Sequence, residues 1–259
     1  MMNELKKINT IAYYTSREIL KSKILLNVLL LGVGLLITTY VAFSFTYGEP
    51  SRVALDFGLG TLSLSSVGIA IFIGVSLLSK EIDNRTVYMV VSRPVARSSF
   101  ILGKIIGLSS VLFINILLLS ALTLACYFFV GGEFNSLILW AIVFTAMEAI
   151  LVLLVVAVLS LLTSNTLSIL FTLMLYVSGH AISGAKLTLF AKNMPGLIEV
   201  LDLYHFVLPA FYKLNIKDFV LYQNSLESSY ILNVLLYGFL YSGFLSLLAI
   251  FIFNKKNLD

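Results

Sequence analysis

The chain has 259 residues, 59% of them hydrophobic and only 12% charged, with a net charge of +4 and a mean hydropathy of +1.02. Soluble domains carry about 45–50% apolar residues, so this composition leaves too little polar surface to cover a water-soluble globule and indicates an integral membrane protein. The positive balance does not point to nucleic acid, because the basic residues flank apolar runs, as anchoring and topology require.

The expected fold is all-α and polytopic, one transmembrane domain over residues 1–259. Residues Asn3–Leu20 place Leu5, Ile8, Ala12 and Ile19 near one face at helical spacing. That pattern predicts an amphipathic helix within 1–23, lying along the membrane surface. About twenty mixed residues precede the first long apolar run, which argues against a removable leader. Six segments reach the ~20 mostly apolar residues that a spanning helix needs. They are Ile24–Phe45, Leu59–Leu78, Ile101–Val130, Leu137–Leu162, Thr166–Ile182 and Tyr230–Phe253. Residues 183–229, interrupted by Pro195 and Pro209, read as one or two short helices forming a cap on the outer face, rich in the Tyr and Phe of a membrane interface.

Lys and Arg set the orientation. Twelve of the seventeen lie in the N-terminal segment, in the stretch from Lys80 to Lys104 and at the C-terminus, so both termini are expected in the cytoplasm. The six charges Lys80, Glu81, Asp83, Arg85, Arg93 and Arg97 crowd into residues 79–100 between two apolar runs. Asp83 or Asn84 can cap a short helix starting near Thr86. Val87 and Tyr88 open its apolar face, Pro94 ends it, and Ser98 is expected to cap the next spanning helix. A short charged helix clamped between two membrane helices suits docking into a groove on a soluble partner.

Chemical motifs are sparse. "LGKIIG" at 102–107 has a Gly-Lys but neither the upstream glycine nor the hydroxyl residue of a nucleotide-binding P-loop. Gly103 and Gly107 form instead a GxxxG pair, suited to close helix packing. His180 and His205 have no Cys or His at metal-ligand spacing, and no catalytic residue is expected. The lone Cys126 reads as a small packing residue. Glu148 is the one acid deep within a span, and an intramembrane carboxylate is a functional candidate by default. Its structural alternative is a hydrogen-bonded residue facing the bundle interior near Asn115. Asn115, Glu148 and His180 are the candidate substrate-path groups.

The stretch "KEIDNRTVYMVVSRPVARSSFILGKIIG" resembles the signature of type-2 ABC exporter permeases. The matching positions are Glu81, Thr86, Arg93, Pro94, Arg97, Gly103 and Lys104, and Arg85 replaces a family glycine. "IAYYTSREILKSK" resembles the family's amphipathic entry helix. "LPAFYKLNIKDFVLY" and "FNKKNLD" resemble the permeases of nitrous-oxide-reductase maturation systems. The resemblance implies a half-transporter of the bacterial inner membrane that pairs with a second copy as a homodimer. ATP and Mg²⁺ would be bound by a separate ATPase subunit and none by this chain. Residues 79–100 would then be the coupling helix seated in that ATPase, and a further partner could sit at the extracytoplasmic face. A subunit that passes motion to such a partner without cargo, a secondary carrier and a membrane enzyme are the alternatives.

Overall fold

The computed structural model describes residues 2–21, 30, 32–34, 36–38, 40–41, 44, 49–83, 96–188, 193–222 and 226–255, of which 2, 3, 76–83, 187, 195, 202 and 205–207 by backbone alone. The described residues form helices and turns without a strand. They comprise α1 (Met2–Leu20), α2 (Pro50–Asp83), α3 (Arg97–Phe129), α4 (Ser136–Leu162) and α5 (Asn165–Leu187). α6 (Pro195–Val207), a 3-10 turn (Phe211–Lys213), α7 (Lys217–Leu221) and α8 (Ser228–Lys255) complete the chain. Helices α2, α3, α4, α5 and α8 are long and apolar enough to cross a membrane. Most of the first expected span lies outside the described residues; those described between 30 and 44 are helical.

Local chemistry explains the boundaries. Asn135 caps α4, its side-chain oxygen accepting from the Leu137 amide at 3.0 Å, which satisfies one of the free donors of a first turn. α3 ends where Gly131 takes φ +87°. The Gly132 amide reaches back to the Tyr127 carbonyl at 3.0 Å, closing a glycine-terminated helix end. Pro195 opens α6, a position where its missing N–H is no loss. Ser98 does not cap α3: the helix starts at Arg97 with Ala96 as its cap, so Ser98 lies inside the first turn.

α4 is the central element. Its apolar residues run round the whole circumference, and Ala149 and the stretch from Leu151 to Val158 are buried, as a helix hydrophobic on every side requires. α5 and α8 are largely exposed, with Phe171, Met174, Val177, Phe239, Leu240 and Phe251 turned outward. In a bilayer such a surface faces lipid. α2 and α3 run antiparallel, Thr123 donating to the Gly58 carbonyl at 3.5 Å. α8 closes on α3 at the other end, where Arg97 donates to the Asn254 carbonyl at 3.4 Å and the Phe100 and Phe253 rings lie 6.1 Å apart.

α1 packs across the first turns of α3. Ile8, Ile11, Ala12, Thr15 and Ile19 form its inward stripe. Leu5, expected on that face, is 64% exposed: counted at 100° per residue, it lies beside the stripe, whereas Glu4 reaches α3. Gly103 and Gly107 are what let α1 come close. A Cβ on Gly103 would stand 2.7 Å from the Ile11 Cβ, and one on Gly107 would stand 2.7 Å from the Ala12 carbonyl oxygen. The glycine pair thus faces the amphipathic helix.

Candidate functional site

Of the residues singled out for partner coupling, Arg85, Thr86, Val87, Tyr88, Arg93 and Pro94 lie outside the described residues. Lys80, Glu81 and Asp83 are described by backbone alone, as the last turn of α2. Arg97 begins α3 and is bonded to α8 as above. Two residues further on, the Ser99 hydroxyl donates to Glu4 Oε2 at 2.7 Å, and Lys7 donates to Glu4 Oε1 at 2.7 Å. These two donors hold the Glu4 carboxyl below its ordinary value, Lys7 contributing most. The site where the charged stretch rejoins the membrane is therefore tied to α1 and α8 together.

A second polar constellation lies in the middle of the bundle. Glu148 on α4 and His180 on α5 are 2.6 Å apart, Oε1 to Nε2. Side chains lean toward the N-terminus of their helix. The two helices are antiparallel, so Glu148 leans toward the end remote from α1, His180 leans the opposite way, and the two groups meet. Glu148 is 3% exposed and His180 24%. The Tyr176 hydroxyl interacts with Glu148 and with Ser63 of α2. Tyr176 and His180 are four residues apart, hence on one helix face, and their rings meet edge to face at 4.7 Å.

The imidazole is held from the other side by Phe211, stacked at 6.1 Å and 20°. That ring comes from the segment after α6, which must approach α5 closely. Gly179 makes the approach feasible: a Cβ there would stand 2.8 Å from the Pro209 carbonyl oxygen and 2.7 Å from the Phe211 ring. Two tyrosines of α8 pin the same segment. Tyr237 accepts from the Ala210 amide at 2.8 Å, and Tyr230 donates to the Lys213 carbonyl at 2.9 Å. Burial pushes the Lys213 ammonium below its ordinary value and the Tyr212 hydroxyl above its own, and the Lys213 ammonium sits over the Tyr237 ring at 5.1 Å. Ser178, beside Gly179, bonds Tyr204 of α6.

Between α2, α4, α5 and this segment lies a cavity of about 200 Å³, its walls including Ser63, Thr145, Glu148, Tyr176, Asn215 and Lys217. Lys217 pairs with Asp56 of α2 at 2.6 Å, both groups part-exposed. No protein-family model and no curated protein matches the chain.

Asn115 is not part of this group. It is 2% exposed, and neither its Oδ1 nor its Nδ2 has a hydrogen-bond partner among the described residues; the same holds for Ser65 Oγ. The partner of Glu148 is His180, not Asn115. Eight residues along each helix from the Thr123–Gly58 contact, Asn115 comes level with Ser66, on the α2–α3 seam. Sequence reasoning missed Phe211 and the Lys217–Asp56 pair, and gave Tyr176 only as a polar group within a helix. The Tyr176/His180 spacing was the one available signal, since groups at i and i+4 share a face. Among the described residues no three of His, Cys, Asp and Glu are grouped for a metal.

Proposed function

We propose that the chain is the membrane-spanning subunit of a type-2 ABC transporter, an exporter permease that pairs with a second copy and is driven by a separate ATPase. In this reading six helices span the bacterial inner membrane with both termini in the cytoplasm, the first span being the segment Ile24–Phe45. α1 lies along the inner surface, residues 79–100 dock the ATPase, and α6, the 3-10 turn and α7 face outward. No nucleotide is bound by this chain.

The observation that carries the proposal is a convergence. The resembling stretch begins on the last turn of α2, ends at Gly107 about three turns into α3, and rejoins the bundle where α1 and α8 are both attached. The contacts are Ser99 to Glu4, Arg97 to Asn254, and α1 against Gly103 and Gly107. A force applied to residues 79–100 therefore reaches four helices at once. Packed helices transmit displacement as rigid bodies because cores are close-packed rather than deformable.

The alternative, in which the subunit passes ATP-driven motion to an extracytoplasmic partner without conventional cargo, is favoured by the attachment of segment 208–217. Pinned by Tyr230, Tyr237 and Phe211, it must move with α5 and α8. Reversing the charge of Glu81, or Tyr88→Pro, is expected to return ATPase stimulation to the basal rate in the reconstituted complex while membrane insertion is unchanged. Coupled hydrolysis retained in both variants would remove the docking assignment.

A further inference from the structure

We propose that the Glu148–His180 pair is a proton-binding site, reached by water from the face opposite α1 through the cavity beneath residues 214–217. Glu148 is the thirteenth residue of a 27-residue helix, and at 1.5 Å per residue it sits close to the middle of the span. An isolated ionised carboxylate is strongly disfavoured there. Beside an imidazole at 2.6 Å the charge is matched, and the pair shares one proton whichever group carries it. Histidine is the side chain whose ordinary titration falls in the physiological range.

The pair is not sealed. Glu148 and Tyr176 form part of the cavity wall, and the hydroxyls of Ser63 and Thr145 line it with Asn215 and Lys217 nearer the rim. About 200 Å³ is room for several waters. Its polar groups supply the partners that ordered water needs. The Thr145 hydroxyl donates to the Ala141 carbonyl at 2.8 Å, which leaves its oxygen free to accept. A proton arriving from this water adds to the carboxylate–imidazole pair and leaves the same way, and no other bond forms or breaks.

The surrounding titratable groups are few. Tyr176 is on α5, Asp56 on α2 and Lys217 on α7, the last two engaged with each other at 2.6 Å. Tyr204 on α6 is engaged with Ser178. On the turn, Tyr212 and Lys213 flank Phe211, and Tyr237 and Tyr241 line up on α8, their rings 5.6 Å apart. None of these supplies a second carboxylate at the cavity floor. One carboxylate and one imidazole also fall short of the three or more protein ligands of a transition-metal site. The inference does not depend on the ATPase reading and uses only which end of the bundle carries α1.

The test uses the full chain in lipid nanodiscs and infrared difference spectra between about pH 4 and pH 9. A protonated-carboxyl band should grow on acidification and vanish in Glu148→Gln. Its midpoint should move by about one pH unit or more in His180→Gln. It should move also in Tyr176→Phe, which keeps the ring and serves if the His180 variant does not assemble. In sealed proteoliposomes of a Cys126→Ala background, Ser63→Cys should react with a membrane-impermeant thiosulfonate at least tenfold faster from the face opposite the termini. A spectrum without any Glu148-dependent change overturns the proposal. So does a midpoint indifferent to both variants, or labelling only from the terminal face.

Discussion

Glu148 Oε1 and His180 Nε2 stand 2.6 Å apart although 32 residues separate them in the chain. The contact fixes α5 on α4 in rotation and depth, because it joins the buried Glu148 of α4 to the part-buried His180 of α5. Removing one member of a buried pair leaves the other uncompensated, at a cost of about 3–5 kcal/mol. Glu148→Leu and His180→Leu should each lower the thermal midpoint in detergent accordingly. The double variant, which buries no polar group, should regain most of the loss. Simply additive losses would show that the two groups are not a pair.

The seat of α1 on α3 depends on two absent side chains. In Gly107→Leu the new Cβ would stand 2.7 Å from the Ala12 carbonyl oxygen and 2.8 Å from the Thr15 Cβ, so α1 must shift. Overpacking of this kind costs about 1–3 kcal/mol. Limited trypsin digestion should then cut at Lys6, Lys7 and Arg17 faster than in the wild type. A variant digested at the wild-type rate would show that α1 is held by other contacts.

The same junction should respond to acid. Glu4 is held below its ordinary value of 4.5 by hydrogen bonds from Lys7 and Ser99. A carboxylate with a lowered value stabilises the folded arrangement above the ordinary value, and that stabilisation fades as pH falls through the lowered one. Proteolytic release of α1 should therefore increase below about pH 4.5. Glu4→Gln should remove this dependence while leaving release equal at acidic and neutral pH.

Among the described residues Asn115 has two unmatched polar atoms and Ser65 has one. A buried unmatched group costs about 1–3 kcal/mol, so Asn115→Leu should raise the thermal midpoint if the residue only packs. A gain in stability accompanied by loss of transport would assign the amide to the substrate path instead.

The helices were legible in the sequence because long apolar runs have few other outcomes. The expected Leu137–Leu162 and the observed Ser136–Leu162 differ by a single residue. α2 begins nine residues before its expected start, since "PSRVALDFG" is too polar to score as a span yet continues the helix into the interface. The site was less legible. Glu148 and His180 were each visible as unusual residues, but their meeting depends on the rotation of two helices, which periodicity alone does not specify. Residues 183–229 read as a compact cap of short helices, but the spacing does not show that Gly179 and the α8 tyrosines draw segment 208–217 against the bundle. Gly103 and Gly107 announced a close contact without naming α1 as the partner. Leu5 shares the apolar face that the spacing predicts, and spacing alone does not distinguish the side of that face that meets protein from the side left exposed.

The measurement that bears most directly on the account is purification of the tagged chain in mild detergent from its native host, with and without Tyr88→Pro. A soluble ATPase should accompany the wild-type protein and be lost from the variant, with both forms equally inserted in the membrane. A preparation that keeps its membrane assembly intact and carries no ATPase, or one in which the ATPase stays bound to Tyr88→Pro, would contradict the ATPase reading.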